Sequence, residues 1–445
     1  MNISKSTILL LLFTLLLSES MAQNSGEFTL KNAIDYGLAH NTYILKGQLD
    51  RAKNESQVSE ALANYLPQVK GSASVMDNLK LQTSILPGEV FGQPGKSVAV
   101  QFGTKYNVTA GIDVSQVIFD ASQIMALKAV KESKNLLSLN QQKTKEQLIF
   151  DIATAYYSAQ ITGIQKGIVE NNLLKLDSLI TITKVQFDNG FAKKLDYNRL
   201  VINRTNTQTE IENVNINYTN QLLLLKFYMN MPMENTIFLA NDNYQVNSGL
   251  TLHSEFDNNT DLQLLHNQNM LNTLKLKQVK AGYLPTLSFS YRYAYQVQKN
   301  DFKIFGNSAN WFPNSYLSFN LNVPIFDGRS KYAKASLVKI EMEQNKLDEK
   351  NLIQNLNFQS AKSTNKLIQN KSSLRVQQNN IKLAEEVFAI SQVQFKGGMG
   401  TISDLLNAET SLKEAQINYL NALVQIKLAE LDILKTTGNL NNLNN

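Results

Sequence analysis

Apolar and polar residues alternate in two windows of the chain, residues 65–119 and 283–326, and this period of two predicts β-strands. In "TLSFSYRYAY" the odd positions from Leu287 to Tyr295 are apolar or aromatic, while the even positions up to Arg292 are polar. One apolar and one polar face fit a strand between water and either lipid or a protein core. A soluble sandwich would need many such strands. Four are predicted here, each about ten residues long, which crosses a bilayer when the strand is tilted.

Outside these windows, the chain is predicted to form long helices, because its longest tracts contain no proline. Six of the seven prolines fall within the strand windows, and residues 121–230 and 328–445 contain none. Single helices over 121–188 and 329–396 would each extend about 100 Å at the usual rise per residue. Helices of that length indicate a coiled coil or a helical array.

The last helical segment carries two apolar lines. The first has the 3–4 spacing of a coiled-coil seam, with alanine at alternate positions for close approach: Leu405, Ala408, Leu412, Ala415, Tyr419, Ala422, Ile426, Ala429 and Ile433. The second is Ile417, Leu420, Val424, Leu428 and Leu431. One seam would make a hairpin, whereas two allow packing on both sides, as in a closed wall of helices.

The pattern occurs twice along the chain. The tripeptide YLP at Tyr65 returns 218 positions later, IFD at Ile118 returns 207 positions later, and VQF at Val185 returns 208 positions later. This similarity predicts a tandem duplication, each half reading helix, strand, loop, strand, very long helix, glycine break and helix. The expected division is 1–22 signal peptide, 23–231 first repeat, 232–257 inter-repeat segment, 258–438 second repeat and 439–445 polar Asn-rich tail.

Four strands cannot close a membrane barrel, because open edges in lipid leave backbone groups unsatisfied. Copies of the chain must therefore pool strands, and the pattern leaves open whether two copies supply eight or three supply twelve. The loops Leu79–Gly103 and Val297–Pro313 are expected to face the cell exterior. Aromatic residues near the second loop fit an interfacial girdle or a loop plug: Phe302, Phe305, Trp311, Phe312 and Tyr316.

Composition narrows the functional classes. The N-terminal run "ILLLLFTLLL" followed by "SESMAQ" predicts a secretory signal peptide cut after Ala22. Basic residues number 43 against 37 acidic ones without a basic block, which argues against nucleic acid as a partner. Cysteine is absent, and His40, His253 and His266 lack metal-ligand spacing, so no metal or cofactor is predicted.

Two stretches resemble phosphate-binding loops, but their neighbouring residues do not fit such a loop. The stretch "GGMG" (residues 397–400) follows a helix instead of a strand, and "GQPGKS" (residues 92–97) has Val90 where a P-loop needs glycine. No nucleophile, histidine and acid are suitably spaced, so the chain is predicted not to be an enzyme.

Taken together, these features resemble the outer membrane efflux protein family, the TolC-like exit ducts of Gram-negative bacteria. The resemblance rests on "FTLKNAIDYGLAHN" (residues 28–41) and on the doubled YLP, IFD and QF-x-x-G…D motifs in register. It implies a mostly α protein with a small membrane β part: a homotrimer with a twelve-stranded β-barrel in outer-membrane lipid, continued by an α-helical barrel in the periplasm. It further implies docking through a periplasmic adaptor (membrane fusion) protein onto an inner-membrane efflux pump or ABC transporter.

The resemblance places the two glycine breaks at the periplasmic tip and entrance of this tunnel. The expected tip residues are Phe187, Gly190, Asp196, Phe395, Gly398, Gly400, Asp404 and Asn407. Two roles stay open for the aspartates: they stabilise the starts of the return helices, or they line the mouth. Some relatives close the mouth with a tyrosine, an arginine and two acids, and the residues at the matching positions, Phe395, Gly400, Asp404 and Asn407, depart from that set.

Two other functional classes compete with the export duct. A trimeric coiled-coil structural or adhesive outer-membrane protein is the main alternative, although its single barrel segment would normally sit at one terminus. A secreted soluble enzyme is the other, and it lacks a candidate site. Transport through the outer membrane is therefore the predicted function.

Overall fold

A computed structural model gives the fold of most of the chain. The described residues are 27–240, 256–302 and 310–444. The predicted signal peptide 1–22, most of the segment 232–257, His253 and Phe305 lie outside them. Within the described ranges, no helix is both long enough and apolar enough to cross a membrane.

Seven α-helices are found in the described part of the chain. They are α1 Leu30–His40, α2 Thr42–Ala63, α3 Ala121–Asp188, α4 Lys194–Met229, α5 Thr260–Ala281, α6 Ser330–Lys396 and α7 Ile402–Thr437. The two longest, α3 and α6, have the bounds that the proline-free tracts predicted to within one residue. A 3₁₀ helix, Leu440–Asn444, follows α7.

Six β-strands are found over the same ranges. They are β1 Gln68–Asp77, β2 Gln82–Pro87, β3 Ser97–Phe102, β4 Tyr106–Phe119, β5 Thr286–Lys299 and β6 Phe312–Asn322. Four form an antiparallel sheet in the order β1-β4-β5-β6. The count of four strands was wrong, because β2 and β3 form a separate hairpin within the predicted loop Leu79–Gly103.

The chain divides into two compact units. Among the described residues, the helical unit comprises 27–47, 140–240, 256–263 and 351–444, and the sheet unit comprises 48–139, 264–302 and 310–350.

In the sheet unit, the register separates an apolar from a polar face. Phe289 pairs with Phe319, and Tyr291 lies between Val114 and Leu317, all on one face. Serine and asparagine residues occupy the opposite face, as the alternation predicted. Among the loop aromatics, Trp311 packs on Val108 and Val297 of the apolar face, whereas Phe312 and Tyr316 have the parity of the polar face. The choice between an interfacial girdle and a loop plug stays a prediction.

The doubled IFD motif starts the long helices. Asp120 Oδ1 accepts hydrogen bonds from the amides of Ser122 and Gln123, at 2.9 and 3.1 Å. In the second copy, Asp327 Oδ2 accepts from the amide and the ammonium group of Lys331, at 3.1 and 3.0 Å. An aspartate at this position satisfies helix amides that lack an intrahelical partner.

The helical unit has a core around Tyr156, formed by α1, α3, α4 and α7. The Tyr156 hydroxyl donates to the Phe28 carbonyl at 3.0 Å. Leu440, in the predicted polar tail, is buried in the same core. The first apolar line of α7 is buried except for Tyr419, which is half-buried, so the seam prediction is confirmed.

Candidate functional site

The two glycine breaks form closely similar turns in the helical unit. Gly190 has a φ of 79° and Gly398 a φ of 72°, a region that glycine adopts without steric cost. After the first, Phe191 N donates to Gln186 O at 2.7 Å. After the second, Met399 N and Gly400 N donate to Gln394 O at 2.9 and 3.1 Å. The repeated motif thus produces the same chain reversal twice.

The return helices start differently in the two turns. Helix α7 begins with a capping box, in which the side chains of Thr401 and Asp404 each bond the other's backbone amide. Lys193 holds the equivalent position before α4 and makes no side-chain cap, although Asp196 lies in the first turn. Stabilisation of the helix start is therefore visible for Asp404, and Asp196 contributes only its charge near the helix N-terminus.

The predicted tip residues fall into two groups. Phe395 is buried in a cluster with Leu176, Leu200 and Leu405, so its role here is packing. Its repeat equivalent Phe187 is partly exposed and stacks on Tyr197, with ring centroids 6.4 Å apart. Asp404 and Asn407, by contrast, are both exposed and lie one turn apart on α7. These two could line an opening.

Polar contacts join the two return helices, and the sequence pattern did not reveal them. Arg199 Nη1 donates to Ser403 Oγ at 2.7 Å, and Asn203 Nδ2 donates to Glu409 Oε2 at 3.3 Å. The partners are 204 and 206 positions apart, so α4 and α7 run parallel side by side. The repeat offset of 208 could have suggested this pairing.

Farther along, the Lys413 ammonium contacts Glu210 of α4 at 2.7 Å. The carboxyl group of Glu409 is buried nearby, and burial raises its pKa to about 7. Lys413 and Lys175 oppose this rise, because a nearby positive charge favours the ionised form. The contact between α4 and α7 therefore contains a carboxyl group that titrates near neutral pH.

Each turn also exposes one large apolar side chain. Phe191 is 86% exposed and Met399 is 81% exposed. They lie 208 positions apart, the same offset as Phe187 and Phe395, so they are equivalent in the two repeats. Neither residue stands out in the sequence pattern, although the position-by-position equivalence of the two turns points to both.

The family assignment follows from a comparison with protein-family models. The model described as outer membrane efflux protein matches residues 33–230 and 251–439. The chain belongs to the outer membrane efflux protein family. This outer membrane efflux protein is 21% identical to the outer membrane protein TolC of Escherichia coli (strain K12) over 422 residues, which cover 88% of this chain and 84% of TolC.

Solved channel structures share the fold of this efflux protein. The structure of CusC matches with a TM-score of 0.71 at 16% identity, covering 92% of each chain. The outer membrane protein VceC of Vibrio cholerae matches with a TM-score of 0.70 at 13% identity, covering 92% of this chain and 96% of VceC. The TolC-like fold predicted from the sequence is therefore confirmed.

Membership in this family gives the protein its general role. It is an outer membrane channel of efflux systems that extends into the periplasm. The structural or adhesive alternative is not favoured. The comparisons do not test the roles of the predicted tip residues, which stay a prediction.

Proposed function

We propose that three copies of this efflux protein form a passive conduit through the outer membrane, fed by an inner-membrane pump or ABC transporter through a periplasmic adaptor. The conduit itself would perform no chemistry. The observation that carries the proposal is the pair of open edges on the four-stranded sheet.

Strands β1 and β6 each pair with one neighbour only in the described part of the chain. Every residue of β1 is exposed, and so are the apolar side chains of Phe319 and Leu321 on β6. An open edge with an apolar face is unstable in lipid, because its backbone groups have no hydrogen-bond partner there. Pairing β6 of one copy with β1 of the next removes every edge, and three copies supply twelve strands from the four in each.

A helix surface supports association as well. Within the helical unit, α6 exposes Val376, Leu383, Val387 and Ile390. Their separations of seven, four and three positions place them on one face of the helix. An apolar stripe on a long helix is what a neighbouring helix of another copy would cover.

Light scattering of the detergent-extracted protein tests the assembly. We expect a trimer, and we expect Leu383→Glu to shift it towards smaller species because a charge would be buried at the contact. Lys382→Glu places the same carboxylate at the adjacent exposed position, away from the stripe, and should leave the trimer intact. A stable monomer or dimer of the unmodified protein would contradict the proposal.

For the adaptor, Phe191 and Met399 at the turns are the best candidate contacts. Exposed apolar side chains at equivalent positions would present a repeated pattern around the tip of a trimer, which suits an apolar contact on a partner. Phe191→Ser with Met399→Ser should reduce cross-linking to adaptor protein in the native host. Conductance in planar bilayers should not change. Undiminished cross-linking would place the adaptor elsewhere.

A further inference from the structure

The polar face of the sheet carries all its charge in a single row. Three charged residues in the sheet have the parity of this face, namely Lys70, Asp113 and Arg292. Lys70 pairs with Asp113 across β1 and β4, and Asp113 pairs with Arg292 across β4 and β5. Tyr316 completes the row on β6. The charges are therefore directly opposite one another across three strands.

Asp113 lies between the two cations. Its Oδ2 accepts a hydrogen bond from Ser72 Oγ at 3.1 Å, and its Oδ1 lies 3.6 Å from Arg292 Nη1. The second distance is longer than a hydrogen bond, so the carboxylate attracts the guanidinium without using its N–H donors. One carboxylate offsets one of two positive charges, which leaves a net charge of +1 in each row.

Both cations are accessible to a ligand. The Arg292 side chain is 35% exposed, and Lys70 is exposed. Over the described ranges, Lys70 makes no ion pair. A guanidinium with free donors binds carboxylate and phosphate oxygens in a forked geometry, and a nearby ammonium adds a point charge.

We propose that Lys70, Asp113 and Arg292 form an anion-binding ring in the assembled barrel, which takes carboxylate or phosphate groups of passing cargo. The ring rests on the proposed trimer, in which the polar sheet face lines the lumen. Low-dielectric walls concentrate the field of such a ring and raise the local concentration of anions. Asp113 weakens the hold on each anion, which suits a pathway that must also release its cargo.

Permeability ratios of chloride to potassium in planar bilayers at low salt test the ring. We expect Arg292→Gln and Lys70→Gln each to lower the ratio roughly twofold, and Asp113→Asn to raise it by a similar factor. Block of the chloride current by citrate should weaken in Arg292→Gln. Lys299→Gln is the control, because it removes a cation from β5 that has the parity of the apolar face.

Opposite shifts for Arg292→Gln and Asp113→Asn distinguish charge from damage to the sheet. The ring would be overturned if the permeability ratio were unchanged in all three variants. It would also be overturned if Asp113→Asn shifted the ratio in the same direction as Arg292→Gln and Lys70→Gln. If Arg292→Gln fails to assemble, Lys70→Gln decides alone, since its exposed side chain makes no ion pair in the described residues. A wild-type protein that forms no conducting trimer contradicts the proposed conduit, whereas a conducting trimer with unchanged ratios contradicts the ring alone.

Discussion

Thr401 and Asp404 cap each other at the start of α7. Thr401 Oγ1 accepts a hydrogen bond from the Asp404 amide at 3.1 Å. Asp404 Oδ2 in turn accepts from the Thr401 amide at 3.3 Å and from the Thr401 hydroxyl at 2.6 Å. Lys193, the equivalent residue before α4, has no such side-chain bond. The two turns share a backbone path but differ in how their return helices are stabilised.

Thr401→Ala should loosen the first turn of α7. Losing an N-cap side chain costs about 1 kcal/mol, so amide hydrogen exchange at the start of α7 should become roughly fivefold faster. Lys193→Ala at the equivalent position should leave exchange at the start of α4 unchanged, because no cap is lost there. Equal acceleration in both variants would mean that the capping box contributes nothing specific.

Asp404→Asn tests whether the same residue lines the mouth. In a trimer, three carboxylates close to one axis would attract cations, and Asn407 one turn later would add neutral oxygens. We expect the variant to show lower potassium selectivity and weaker block by divalent cations in single-channel recordings at low salt. Thr401→Ala weakens the same capping box without removing the charge, so its selectivity should match the wild type. Unchanged selectivity in Asp404→Asn would leave the residue with its capping role only.

Some elements could be predicted from local patterns, because a single local cause fixes them. Proline-free tracts set the bounds of α3 and α6, and strict alternation set the faces of β5 and β6. The hairpin β2–β3 was missed because its strands have six residues each and enclose Pro87 and Pro94. Short segments that contain or adjoin proline are predicted to be loops, because proline cannot donate a hydrogen bond to a neighbouring strand.

The tip residues show where repeat similarity stops being informative. Phe187 and Phe395 occupy equivalent positions, yet only Phe395 is buried, against Leu176, Leu200 and α7. Which neighbouring helix covers a side chain is a tertiary property that neither repeat encodes alone. The exact repeat boundaries, 23–231 and 258–438, stay a prediction.

The buried carboxyl group of Glu409 predicts a pH-dependent stability. Its pKa is raised to about 7 from an ordinary value of 4.5, so the folded protein holds this proton more tightly than the unfolded chain does. The free energy of unfolding should therefore fall as pH rises through this window, by roughly 3 kcal/mol at most. Glu409→Gln should flatten the change in melting temperature between pH 5 and pH 8 and stabilise the protein at pH 8.

Glu414→Gln gives the matched control for this measurement. Glu414 lies on the same helix but is exposed, so its replacement should leave the pH dependence as it is in the wild type. If Glu409→Gln and the wild type lose the same stability between the two pH values, burial of Glu409 is not the cause.

The position of the hairpin β2–β3 predicts its exposure on the cell surface. Strand β1 follows α2, and β4 leads into α3, so the pair Asp77 and Tyr106 lies at the end of these two strands that is away from the helices. The hairpin β2–β3 connects β1 and β4 at that end. Because the helical part extends into the periplasm, the hairpin should face the exterior. A short epitope inserted beside Gln93 should bind antibody on intact cells.

An epitope inserted after Ala192, in the turn between α3 and α4, should behave in the opposite way. Antibody should reach it only after the outer membrane is permeabilised. The surface insertion lies inside the turn that Gly88 and Lys96 close, where Gly88 N donates to Lys96 O at 2.7 Å. Gln93 is exposed in that turn, and insertion on its C-terminal side leaves the bond from Gln93 N to Gly88 O at 2.8 Å within an unaltered segment. The equivalent site in the second loop, near Asn307, lies outside the described residues. Labelling of Ala192 but not Gln93 on intact cells would invert the orientation and rule out a periplasmic tunnel.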